Sequence, residues 1–125
     1  ASVSQWQESW FSSKDLSDTF KKMGVASPSV NKKIVLDTPD TAENGSYVGV
    51  RVISPITNTD AIAILVDKNP SVLAGYFEFG DSVNPELATK IKMAETSSVF
   101  ALVKADNKFF VNNKNVNVVV GGCGS

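Results

Sequence analysis

The 125-residue sequence predicts a mainly β protein: an immunoglobulin-like antiparallel β-sandwich, with a short N-terminal helical segment and a flexible C-terminal arm. Three observations carry that expectation. Apolar residues recur at intervals of three and four as far as Gly24, then switch to a period of two from Asn31 onward. Beyond Asn31, seven or more short apolar stretches are separated by turn-forming residues at near-regular spacing, the pattern of a sandwich. The final five residues, Gly-Gly-Cys-Gly-Ser, offer a core almost nothing to bury.

The helical lead occupies residues 1–26. Trp6 and Trp10 stand four apart, as do Leu16 and Phe20, with Met23 three further on, so each set shares a helix face. Ser4 with Gln7 forms a capping box and Gly24 a C-terminal stop, after which Pro28 punctuates the chain. The spacing predicts two short helices, or one helix broken near Ser12-Ser13.

Residues 31–120 carry the sandwich. In 47–53, Val48, Val50 and Val52 alternate with Tyr47, Gly49 and Arg51, which describes a half-buried strand. In 87–93, Leu87, Thr89, Ile91 and Met93 alternate with Ala88, Lys90 and Lys92. Further strands are expected at 34–36, 61–66, 75–79, 99–104, 109–111 and 116–120. Turns are expected at Glu43-Asn44-Gly45, Asn58-Thr59-Asp60, Asn69-Pro70, Gly80-Asp81, Asp106-Asn107 and Asn112-Asn113. The Cys…Trp…Cys marker of antibody domains is missing, so the likeness to them is one of architecture. Residues 1–120 thus read as a single domain and 121–125 as the arm.

Composition narrows the function classes. A chain of this length buries a core without disulfides or metals. Lys+Arg 12 against Asp+Glu 13 gives a net charge of −1, without the concentrated positive field that nucleic acid requires. Lys21-Lys22 and Lys32-Lys33 read as solvated faces, and no apolar run is long enough to span a bilayer. Histidine is absent, which removes the usual Ser-His and Cys-His nucleophile pairs and any His-based metal site. Asp37, Asp40 and Glu43 do not follow the spacing of a calcium loop and read as loop solvation. No catalytic residue, cofactor or metal is therefore expected. The chain begins at Ala1 without an initiator methionine, as a mature exported protein does.

Chemistry concentrates at the tail. The single cysteine, Cys123, lies between Gly122 and Gly124. At roughly 3.3–3.6 Å per extended residue it can stand about 10 Å beyond Val120. Flanked by no side chains, it can enter a narrow cleft of another protein, and reads as an arm that carries something covalently. A disordered end or an appended conjugation tag would look the same.

Four stretches carry a resemblance: the tail Val118-Val119-Val120-Gly121-Gly122-Cys123-Gly124-Ser125, the turn Ala42-Glu43-Asn44-Gly45, Asp67-Lys68-Asn69-Pro70, and Lys90-Ile91-Lys92-Met93-Ala94-Glu95-Thr96-Ser97. Together, in order and over nearly the whole chain, they resemble SoxY, the sulfur-carrier family of the bacterial thiosulfate-oxidising Sox system. The resemblance implies a periplasmic, non-enzymatic carrier paired with a SoxZ-like subunit, its intermediates held covalently on Cys123 and its arm formed by Gly121, Gly122, Gly124 and Ser125. It further implies that a SoxXA cytochrome conjugates thiosulfate to the thiol, that SoxB hydrolyses the terminal sulfonate, and that SoxCD, where present, oxidises the remaining sulfane. Two departures stand out. Ser125 replaces the usual final glycine, and Lys90 an arginine common in the family, which keeps the charge without bidentate geometry.

With the nearest cation in sequence at Lys114, the thiol is expected to be activated by partner enzymes rather than by its own chain. Without its partner the chain is expected to self-associate, or to form a Cys123–Cys123 disulfide dimer. Candidate partner surfaces are Tyr76, Phe77 and Phe79 with Val99 and Phe100, and the Trp6–Trp10 face, although much of either set also suits a core. The alternative reading is a secreted β-sandwich binding or assembly module whose cysteine is incidental.

Overall fold

A computed structural model describes residues 8–80 and 84–119. Two helices open it, α1 (Glu8–Phe11) and α2 (Leu16–Lys22). The break falls where the Ser12-Ser13 pair predicts it. Asp15 caps α2 by accepting from Ser17 N at 2.9 Å, and Gly24 follows its end at φ 80°, a conformation glycine adopts without steric cost. Ser4, Trp6, Gln7 and Asp81 lie outside the described residues, as do Val120 and the arm 121–125.

Nine strands follow among the described residues: β1 (Ser29–Val30), β2 (Val35–Asp37), β3 (Thr41–Ala42), β4 (Val48–Ile53), β5 (Thr59–Val66), β6 (Leu73–Glu78), β7 (Glu86–Ile91), β8 (Ser97–Ala105) and β9 (Lys108–Val118). The larger sheet has the order β1-β9-β8-β5-β6, with β3 also pairing to β9, and the smaller runs β2-β4-β7. The two face each other as a sandwich. All long strands pair antiparallel, while the short β1 and β3 run parallel to β9. Those two short strands have no alternation of their own to announce them; β9 recruits them.

The period-two reading of 47–53 holds: Val48, Val50 and Val52 are buried while Gly49 and Arg51 face solvent. Their inward face meets Ile62, Ile64 and Val66 of β5 and Val99, Ala101 and Val103 of β8. β5 is buried on both faces, because its opposite side, Ala63 and Leu65, packs with Trp10, Val25 and Leu102 under the helical lead. Leu16, Phe20 and Met23 share that face, as their spacing predicts. The helices thus form a third layer over the larger sheet.

Two expectations need correction. Asn112-Asn113 is not a turn; β9 passes through it, with Asn112 opposite Ala101 and Asn113 opposite Phe100. Pairing with β8 overrides local turn preference, and the Asn112 side chain ties β9 to the Ile34 carbonyl at 2.9 Å instead. The hairpin turn is made at Asp106 and Asn107, both at positive φ (50° and 61°), as two-residue turns of this hand require. Nor do Tyr76, Phe77, Phe79, Val99 and Phe100 form one exposed face. Val99 is fully buried and Phe77 and Phe79 pack on the inter-sheet core, whereas Tyr76 and Phe100 pack under the helices. Trp10, 6% exposed, belongs to that inner layer.

Candidate functional site: the end of strand β9

The predicted arm residues Gly121, Gly122, Cys123, Gly124 and Ser125 lie outside the described residues, so the site is described from the point where β9 ends. β9 is flanked on both sides there. Its antiparallel ladder to β8 closes at Ser97 opposite Val116. On its other side Asn117 N donates to Asp40 O at 2.9 Å and Val119 N to Ala42 O at 3.0 Å, continuing the parallel pairing with β3. Lys114 secures the segment leading into β3: its Nζ donates to Thr38 O at 2.8 Å and pairs with Asp40 Oδ1 at 3.2 Å.

Beyond the end of β8 a side chain replaces the strand. Thr96 Oγ1 accepts the Val118 N–H at 2.9 Å. The bend that presents Thr96 is itself braced. Asn69 Nδ2 donates to Lys92 O at 2.6 Å and its Oδ1 accepts from Ala94 N at 3.0 Å, so one amide holds the chain entering the bend at two points. Ser97 Oγ accepts from Lys68 N at 3.0 Å. Gly45 closes the arrangement: Met93 N donates to Gly45 O at 2.6 Å, and a Cβ on Gly45 would overlap the Met93 carbonyl oxygen and lie 3.0 Å from Val118 Cγ1. Asn44 shapes this turn by accepting from Ser46 N at 2.9 Å.

The four stretches singled out in the sequence, far apart along the chain, therefore meet around Val118. Their motifs mark them, but no periodicity or spacing assigns Ala42, Gly45, Asn69 or Thr96 a common task. Beside them Lys90 Nζ lies 3.9 Å from the centre of the Tyr47 ring, a cation–π contact, and Tyr47 and Val119 are exposed at 63% and 42%. Asp40, one of the acidic residues considered for calcium, is engaged with Lys114. Among the described residues no three His, Cys, Asp or Glu side chains converge, and no helix is long and apolar enough to cross a membrane.

Residues 20–123 match the family model described as Sulfur oxidation protein SoxY, a span that reaches Cys123. The chain belongs to the SoxY family. Its structure is similar to that of the sulfur carrier protein SoxY from Chlorobium limicola f thiosulfatophilum, with a TM-score of 0.76 and 26% identity, covering 85% of this chain and 97% of that one. A superoxide reductase (neelaredoxin) from Ignicoccus hospitalis shares the fold, at a TM-score of 0.60 and 15% identity over 69% of this chain and 79% of that one. No curated protein sequence matches.

Proposed function

We propose that the protein is a periplasmic sulfur carrier that holds the intermediates of thiosulfate oxidation on Cys123. The observation that carries this reading is the SoxY-family match running through to that cysteine. The braced exit of β9 supports it, since a mobile arm needs a fixed base. Residues 1–120 act as one folded unit and Gly121, Gly122, Gly124 and Ser125 as the tether.

The chain supplies a thiol and partner enzymes supply the catalysis. In loading, the Cys123 thiolate and thiosulfate form an S–S bond, giving Cys–S–S–SO3− and releasing two electrons, which a SoxXA-type cytochrome takes up one at a time and passes to an oxidised cytochrome acceptor. In the next step water hydrolyses the terminal sulfonate in a SoxB-type enzyme, releasing sulfate and two protons and leaving the persulfide on Cys123. A SoxCD-type enzyme, where present, oxidises that sulfur further. Throughout, a SoxZ-like subunit accompanies the carrier.

Intact mass of the protein isolated from its source, before and after a reductant, tests the reading, with Cys123→Ser as control. Reductant-labile adducts of sulfur or thiosulfonate mass, absent in the variant, are expected. A single unmodified mass that persists when thiosulfate, the SoxZ-like subunit and the conjugating cytochrome are supplied would instead favour an assembly module with an incidental cysteine.

A further inference from the structure

We propose that the hollow between the helical lead and the larger sheet binds a small organic monoanion: a short-chain carboxylate whose apolar body lies over Ala61 and Ala63 and whose head meets Lys104. The site goes beyond the carrier reading and does not rest on it. Phe109, on its wall, and Val118 stand at opposite ends of β9, about 30 Å apart along an extended strand. Strand register makes the hollow. Across β5, Ala63 is flanked by Tyr76 of β6 and Leu102 of β8, and Ala61 by Glu78 and Lys104. Each alanine stops at Cβ between longer side chains. Trp10 and Met23 of the lead complete the enclosure, leaving a partly open cavity of about 60 Å³.

Three side-chain polar groups interrupt an otherwise apolar lining. The Tyr76 hydroxyl is turned to Glu78, which is not part of the lining, at 3.4 Å. Lys104, half-buried, is the one charged lining residue and makes no ion pair among the described residues. Trp10 Nε1 is buried without a hydrogen-bond partner, and a buried donor costs stability until something accepts from it. A cation without a counter-ion and a donor without an acceptor, set beside an apolar floor, complement an anionic head on an apolar body. Both groups donate, so a head that can only donate finds no partner. The volume sets the body. It falls well short of the roughly 150 Å³ of a hollow that admits benzene, which leaves room for a chain of about three or four carbons and none for a ring.

The test titrates the isotope-labelled full chain with propionate, butyrate, hexanoate, benzoate and 1-butanol at constant ionic strength, and follows the Trp10 indole N–H and the Ala61 and Ala63 methyl groups by NMR. Butyrate is expected to bind saturably at these three probes, with a Kd about three- to fourfold below that of propionate, the gain from one further buried methylene. Hexanoate and benzoate are expected to bind no more tightly than butyrate, and 1-butanol more weakly. Lys104→Gln, at a half-buried position on the rim of the core, is expected to weaken butyrate about five- to tenfold and to leave 1-butanol unaffected. Ala61→Leu fills the hollow and is expected to abolish binding; should it fail to fold, Lys104→Gln and the chain-length series decide. Butyrate without a saturable response overturns the inference. So does benzoate binding more tightly than butyrate, 1-butanol binding as tightly, or equal affinity of the wild type and Lys104→Gln for butyrate. None of these readings involves Cys123, so this inference and the carrier reading fail separately.

Discussion

Gly45 and Met93 meet backbone to backbone: the Met93 N–H donates to the Gly45 carbonyl at 2.6 Å, and no room is left at Gly45 for a Cβ. Glycine is required here by proximity. The strand end at Val118 lies against the same spot, so the packing that holds the β7–β8 connection also holds the end of β9.

Gly45→Ala is therefore expected to destabilise the protein by about 1–3 kcal/mol, the usual cost of forcing a methyl group into a filled space against backbone that cannot yield. Chemical denaturation monitored by circular dichroism measures it. Gly49 provides the control, since a Cβ there meets nothing within 4 Å; Gly49→Ala is expected to cost far less, and equal losses at both sites would contradict the close-approach argument.

Trp10 is 6% exposed and meets the Tyr76 ring edge-on at a centroid distance of 5.1 Å. It fastens the helical lead to the larger sheet. Trp10→Ala is expected to cost about 3–5 kcal/mol, as truncation of a buried aromatic does, and to uncover Ala63, Leu65 and Leu102. A lower denaturation midpoint together with new binding of a hydrophobic dye is the expected result. A loss below about 1 kcal/mol would mean that the lead is not part of the core.

Tyr76 gives stability an alkaline limit. Burial, followed by the nearby charge of Glu78, pushes its phenol up to about 12 from 10.0. Because the folded state holds the proton more tightly than the unfolded chain, the unfolded chain ionises first as pH rises. The contribution of Tyr76 is thus complete below about pH 10 and is lost progressively toward pH 12. Denaturation midpoints measured from pH 8 to pH 12 should fall more steeply in the wild type than in Tyr76→Phe. Parallel profiles would show that other groups govern the alkaline limb.

Much of the fold is legible in the sequence. The alternation of Val48, Val50 and Val52, the spacing of Leu16, Phe20 and Met23, the Ser12-Ser13 break and the Asp106-Asn107 turn all appear in the structure where the residues foretell them. Each depends on neighbours a few positions away. Asn112-Asn113 misleads for the same reason: local preference favours a turn, while the pairing that makes it strand comes from Ala101 and Phe100 on β8. The short β1 and β3 are invisible to any local pattern, since their conformation is set by β9.

The layers were legible in the chain alone, because side-chain burial repeats with the period of each element wherever its partner lies. The sequence also placed the chain among SoxY proteins through four separate stretches. What three of those stretches do for the start of the fourth emerges only in the folded chain. Thr96 stands 22 positions from Val118, and Asn69 reaches 23 and 25 positions to Lys92 and Ala94. Hydrogen bonds over such separations exist only once β5, β8 and β9 have paired side by side in the larger sheet, which is why the surroundings of Val118 are written in distances and not in any periodicity of the chain.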